Sequence, residues 1–70
     1  MKKKTYNKEI YKYSVLSRAI NDYRRLADIQ IDDCGDEWKC VFSSETVPLD
    51  ILVSEFDNYL IELSQLHINV

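Results

Sequence analysis

One amphipathic segment near the end of the chain most constrains the fold. From Pro48 to His67, apolar residues recur at steps of three and four, which is the spacing of one helix face. Pro48 suits a first helical turn, because its missing N–H would have no partner there. The apolar stripe consists of Leu49, Leu52, Val53, Phe56, Leu60 and Leu63. The pattern predicts a helix over 48–67, and in a chain of 70 residues the preceding segments must form the surface that covers it.

The apolar arc of this segment is wider than one packed face needs. Four apolar or aromatic residues do not fit the stripe: Ile51, Tyr59, Ile61 and Leu66. Two interpretations remain open at this point. The helix is buried deeply against a sheet, or part of the arc contacts a second chain, because contiguous apolar patches on a surface are uncommon.

The N-terminal third predicts a tail, a strand and a helix. Met1 to Thr5 carries three lysines and is expected to be a flexible, solvated tail. Residues 6–13 alternate loosely, with Tyr11 and Tyr13 on one side, which is typical of a short edge strand. A helical apolar spacing then predicts a helix from Ser14 to about Leu26, with the serine as its N-cap.

The segment from Asp28 to Ser43 has the pattern of a β-hairpin. One face would carry Ile29, Ile31, Trp38, Cys40 and Phe42. Gly35, the single glycine of the chain, supplies the positive φ that tight hairpin turns need. A two-residue turn starting at Gly35 pairs Asp33 with Trp38, whereas a turn two residues longer pairs Ile31 with Trp38. Both registers keep the same residues on each face.

The predicted order is strand, helix, strand, strand, helix. We therefore expect one α+β domain over 6–70, a two-layer sandwich in which two helices cover one face of a small sheet. A strand-helix-strand unit usually forms a right-handed crossover between parallel strands, and the hairpin adds an antiparallel strand.

Charge and hydropathy exclude several classes of protein. The net charge of −3 argues against nucleic acid as the main partner, since duplex binding needs a basic surface. No apolar run approaches the ~20 residues of a membrane span. The three N-terminal lysines are not followed by the apolar region of a secretory signal. These features predict a cytoplasmic protein that does not act on a membrane.

No group of residues predicts catalysis, a cofactor or a metal site. Cys34 and Cys40 should lie on opposite faces of the hairpin, too far apart for a disulfide. Together with His67, the one histidine, they do not make the four ligands of a zinc site, although a zinc shared across a dimer is left open. The acidic hairpin tip over 32–37 lacks calcium-loop spacing. An enzyme using Cys34 as nucleophile would have no evident base, so we expect no enzyme.

Three segments resemble the HxsD-like proteins, the small D component of His-Xaa-Ser systems. They are EIYKYSVLSRAINDY, DIQIDDCGDEWKCVF and SEFDNYLIELS, within Glu9 to Ser64. The similar positions are Ile10-Tyr11 before the first helix, Ala19 and Tyr23 within it, and the runs Glu55-Phe56 and Asn58-Tyr59-Leu60. The family commonly ends in a basic segment, whose place is taken here by Gln65-Leu66-His67.

The resemblance implies a role in the maturation of a ribosomally synthesised peptide. Such proteins are accessory components encoded beside radical S-adenosylmethionine (SAM) maturases. It implies a non-catalytic binding module for the precursor peptide, the radical SAM enzyme or both; the alternative is an obligate homodimer with a structural or assembly role. Partner-binding residues are expected among the aromatics and the extra apolar residues of the last helix. These candidates are Tyr11, Tyr13, Trp38, Ile51, Tyr59, Ile61 and Leu66.

Overall fold

The computed structural model describes the backbone of residues 1–68 and the side chains of residues 1–65. Three strands and two helices follow one another along the chain: β1 (Lys2–Asn7), α1 (Tyr13–Asp22), β2 (Asp28–Cys34), β3 (Glu37–Ser43) and α2 (Leu49–Ile68). The strands form one antiparallel sheet in the order β1-β3-β2. The predicted α+β class and the predicted order of elements are confirmed.

The first strand lies nearer the N-terminus than its predicted place. β1 takes in most of the segment expected to be a flexible tail, and residues 8–12 turn instead of continuing a strand. Tyr6 explains the shift, because its ring is 4% exposed and sits in the core opposite Trp38 of β3. The predictions of a tail over 1–5 and a strand over 6–13 are therefore wrong. Of the two tyrosines placed in that strand, Tyr11 lies in the turn and Tyr13 begins α1.

The first helix is shorter at its C-terminus than the apolar spacing predicts. α1 begins after Lys12, which makes no side-chain capping bond, so the predicted cap at Ser14 lies inside the first turn. Turns follow the helix, where the Leu26 and Ala27 N–H groups both donate to the carbonyl of Tyr23. These turns redirect the chain into β2 and leave Ala27 buried.

The hairpin adopts the first of the two predicted registers. Asp33 pairs with Trp38 and Ile31 with Cys40 across a two-residue turn. Gly35 has φ +73°, and it occupies the first central position, as glycine does in type II′ hairpin turns. The Asp33 carboxylate accepts a hydrogen bond from the Gly35 N–H at 3.2 Å.

The hairpin also decides how the crossover is built. β1 and β2 run parallel to each other, as a strand-helix-strand unit favours, but β3 lies between them and is antiparallel to both. Neither β1 nor β2 has a second neighbouring strand within residues 1–68, so each is an edge of the sheet.

The core lies between the two helices and one face of the sheet. Phe56 of α2 is at its centre, and its ring packs edge-on against Phe42 at 5.1 Å and Tyr23 at 5.3 Å. The predicted α2 stripe is buried, with Leu49 partly so. The other core residues are Tyr6, Val15, Leu16, Ala19, Ala27, Ile29, Cys40 and Phe42. The opposite, open face of the sheet carries the side chains of Lys3, Thr5, Gln30, Asp32, Lys39 and Val41.

Candidate peptide-binding edge

The outer edge of β1 presents backbone groups that no described strand pairs with. The Lys8 N–H donates to the Asp36 carbonyl at 3.1 Å, at the position that continues the β1–β3 register. In an antiparallel ladder, residues point alternately toward and away from the neighbouring strand. The even-numbered residues of β1 therefore bond to β3, and the N–H and C=O groups of Lys3 and Thr5 point away from the sheet.

The edge ends at Asn7, where the chain closes a turn on itself. The Asn7 carbonyl accepts hydrogen bonds from the Ile10 and Tyr11 N–H groups, at 3.2 and 2.8 Å. Its side-chain oxygen accepts a third, from the Glu9 N–H at 2.7 Å. The length of edge that can accept another strand is therefore centred on Lys3 and Thr5.

A carboxylate of α2 holds the middle of β1 in place. Asp57 accepts hydrogen bonds from the Lys4 ammonium and from the Tyr6 hydroxyl, the latter at 2.7 Å. Burial, followed by this bond to Asp57, raises the pKa of Tyr6 far above its usual value, so the phenol remains protonated. A more exposed ion pair joins Lys2 to Asp50 at 3.0 Å. The edge strand is thus attached to α2 through side chains as well as to β3 through its backbone.

Three of the predicted partner-binding aromatics lie together, in a group we call the aromatic corner: Tyr11, Tyr13 and Trp38. The Tyr13 and Trp38 rings are 5.4 Å apart, and the Trp38 indole N–H donates to the Tyr11 carbonyl at 3.0 Å. Tyr13 is 54% exposed, whereas the other two are partly buried against the core. In the aromatic corner, Tyr13 is therefore the accessible ring, and Tyr11 and Trp38 pack between it and the core.

A cation lies over the aromatic corner. The Lys8 ammonium is 4.3 Å from the centre of the Trp38 ring and also binds the Asp33 carboxylate. This contact with Lys8 is the main reason that the pKa of Asp33 is below its usual value. At this end of the sheet, Lys8 and Asp33 are therefore paired with each other.

Tyr59 has a structural role that the sequence did not predict. Its ring lies 5.7 Å from that of Tyr23, and its hydroxyl donates to Asp22 at the end of α1. That hydrogen bond raises the pKa of Tyr59. These contacts make Tyr59 a link between the two helices.

The predicted apolar candidates on α2 do not form one patch. Ile51 and Ile61 are 55% and 47% exposed. Ten residues separate them, so they lie about 15 Å apart along the helix and about 80° apart around it. The surface between them carries Ser54 and Asn58, which are exposed. The side chain of Leu66 lies outside the described residues.

The two cysteines differ in accessibility and lie on opposite faces, as predicted. Cys40 is buried in the core, and burial raises the pKa of its thiol to about 11. Cys34 is exposed beside the hairpin turn. Within the described part of the chain, no group of three or more His, Cys, Asp or Glu side chains could hold a metal ion.

Two open clefts lie on the described surface. The larger, about 500 Å³, lies between the turn after α1 and the loop before α2, and Arg24, Ser44 and Thr46 are among its lining residues. The smaller, about 270 Å³, lies between the turn after β1 and the hairpin tip, against Lys8 and Gly35. Neither cleft joins the edge of β1 to the aromatic corner.

Comparisons of the chain with protein-family models, curated proteins and solved structures found no significant match. Among the described residues, no helix is both long and apolar enough to cross a membrane.

Proposed function

We propose that this protein is a non-catalytic binding module that holds an extended peptide segment as an additional strand beside β1. The observation that carries the proposal is the outward direction of the Lys3 and Thr5 backbone groups on a strand with one neighbour. Edge strands are templates for pairing, and strand addition is a common mode of peptide recognition.

The resemblance to HxsD-like proteins supports a specific setting for this binding. The peptide would be the precursor of a ribosomally synthesised, modified product, or a segment of the radical SAM maturase that modifies it, in the cytoplasm. In that setting the chain would bring substrate and maturase together, and all bond-making chemistry would belong to the partner enzyme. Co-purification of the full chain with a precursor peptide and with a radical SAM maturase, each encoded by a neighbouring reading frame if this setting is right, tests the setting separately from the binding mode.

Backbone pairing on its own gives weak binding. Two N–H and two C=O groups point outward from Lys3 and Thr5. At a net value of about 0.5–1.5 kcal/mol for each hydrogen bond, they supply about 2–6 kcal/mol before the loss of freedom on association. A dissociation constant of 1 mM corresponds to about 4 kcal/mol. Side chains around the edge must therefore add most of the affinity and all of the selectivity.

A proline at the edge separates this mode from docking elsewhere. Thr5→Pro removes one outward N–H without removing a bond to β3, because Thr5 points away from that strand. Thr5→Val is the matched control, since it keeps the N–H and suits a strand. Peptides selected from a displayed library of random sequences against the full chain should lose binding to Thr5→Pro and keep it to Thr5→Val. Undiminished binding by a folded Thr5→Pro variant would place the peptide on another surface.

The second candidate function is an obligate homodimer assembled through α2. The exposure of Ile51 and Ile61 favours it, because large apolar side chains are frequent in interfaces. The polar surface between them at Ser54 and Asn58 weakens it. Light scattering over a concentration series decides the matter. A monomer at all concentrations excludes the dimer, whereas a dimer that Ile51→Glu or Ile61→Glu dissociates would replace the first proposal.

A further inference from the structure

The edge of β1 differs in charge from the rest of the protein. The strand has three consecutive lysines and no acidic residue, in a chain whose net charge is −3. Lysine at an edge discourages pairing with unselected strands. It also selects by charge among the segments that do pair, since opposite charges on facing strands attract and like charges repel.

The three lysines surround the position that an added strand would occupy. Lys3 extends from the open face of the sheet and has no acidic partner among the described side chains. Lys2 and Lys4 lie on the helix-covered face, where they bind Asp50 and Asp57. Their side chains are 47% and 39% exposed. On the open face an added strand would lie beside Lys3, with Lys39 of β3 one strand further in, whereas on the other face Asp50 and Asp57 offset the charges of Lys2 and Lys4.

This arrangement argues against a second copy of β1 as the occupant. Two β1 strands paired edge to edge would bring the two Lys3 side chains to one seam with no free acidic residue on either strand, which raises the energy of the pair. We propose that the segment added to β1 is an acidic, extended peptide of a partner protein, with Asp or Glu at alternate positions. Alternate residues of a strand share one face, so these carboxylates all lie on the open face of the sheet, beside Lys3. This inference rests on the proposed function and names the class of peptide.

The inference is tested with two labelled peptides, one of alternating glutamate and threonine and a twin with lysine in place of glutamate. Fluorescence anisotropy at low salt should detect binding of the acidic peptide to the full chain, with the basic twin binding at least tenfold more weakly. Each facing pair of opposite charges contributes up to about fivefold in affinity. Raising the salt concentration should reduce the preference, since exposed charges are screened.

Two charge reversals distinguish a local effect from a general one. Lys3→Glu should weaken binding of the acidic peptide by about tenfold or more, because it replaces an attraction with a repulsion beside the edge. Arg25→Glu changes the net charge equally but lies just before β2, the opposite edge strand, and is exposed. It should leave the preference for the acidic peptide unchanged. Equal effects of Lys3→Glu and Arg25→Glu would overturn the inference.

The same experiment separates the inference from the proposed function. If Thr5→Pro abolishes peptide binding but Lys3→Glu has no more effect than Arg25→Glu, the edge binds peptides and the acidic preference is wrong. If the acidic peptide binds Thr5→Pro as well as it binds the unmodified chain, both are wrong. Salt-sensitive self-association that Asp32→Lys abolishes would also overturn the inference. It would identify the acidic β2 edge of a second copy as the occupant.

Discussion

Replacement of Tyr6 with phenylalanine should destabilise the protein by about 1–2 kcal/mol. The hydroxyl lost in Tyr6→Phe donates to Asp57 at 2.7 Å. Hydrogen bonds to charged groups contribute about 1.5–3 kcal/mol. The value here should be near the low end, because the Asp57 side chain is 26% exposed and keeps its contact with Lys4. In a domain of this size such a loss lowers the melting temperature by roughly 5–15 °C.

The measurement is equilibrium unfolding in urea, followed by circular dichroism. The midpoint should fall while the slope with denaturant concentration is unchanged, since the surface exposed on unfolding is nearly the same. Tyr11→Phe is the matched control. Tyr11 lies 5.4 Å from Tyr6, ring to ring, and its hydroxyl has no hydrogen bond to a described residue. Its loss should cost less than about 0.5 kcal/mol.

The pH dependence gives an independent check on the same bond. The folded-state pKa of Tyr6 is raised above the usual value of 10.0, so the stability that its protonated hydroxyl contributes is fully present below pH 10. It is lost as pH rises above 10. The unmodified chain should therefore lose stability faster than Tyr6→Phe at alkaline pH, and the two midpoints should converge.

Two results would refute this account of Tyr6. The first is a Tyr6→Phe variant within about 0.5 kcal/mol of the unmodified chain at neutral pH. The second is a double-mutant cycle of Tyr6→Phe and Asp57→Asn with a coupling energy below about 0.5 kcal/mol, since directly bonded pairs usually couple more strongly. Either result would mean that β1 is held to α2 by ring packing and Lys4 alone.

Three further predictions concern the hairpin and the cysteines. Gly35→Ala should cost about 1–2 kcal/mol in urea unfolding although no atom lies within 4 Å of the added Cβ, because φ is +73°. Gly35→Asn should lower the free energy of unfolding by less than Gly35→Ala does, because asparagine adopts a positive φ more readily, and equal losses in the two variants would contradict this explanation. In NMR titrations, the lowered pKa of Asp33 should rise in the Lys8→Met variant, which lacks the ammonium group. The stability that the ionised Asp33 carboxylate contributes is present above about pH 4 and is lost as the pH falls. Iodoacetamide should modify Cys34 in the folded protein, but Cys40 only after the protein has been unfolded, because the buried Cys40 thiol has a pKa of about 11. Equal rates of modification of the two cysteines in the folded protein would contradict the core position of Cys40.

The hairpin and α2 were predictable because their signals are local. Alternating apolar residues around Gly35 determine which faces of β2 and β3 meet, and the actual register was one of two that the sequence allowed. The stripe of α2 has a helical period over many residues, so its buried side was predicted residue by residue. Neither inference needed knowledge of a distant contact.

β1 was misplaced because its signal is not local. Lys2, Lys3 and Lys4 have the composition of a solvated tail. Two of them lie on the helix-covered face and bind carboxylates of α2 that are 48 and 53 residues away. A short-range pattern cannot contain that information. An edge strand was predicted, but over residues 6–13, so the edge at Lys3 and Thr5 was missed for the same reason.

The sequence by itself determined the α+β class, the hairpin with its turn at Gly35, and the apolar side of α2. These follow from the periods of helix and strand and from the backbone freedom of glycine. Tertiary structure alone decided that β3 lies between β1 and β2, that Tyr59 joins the helices, and that a lysine-rich strand forms an edge of the sheet. The physical reason is that each of these depends on which segments pack against each other, and packing is a property of the whole chain.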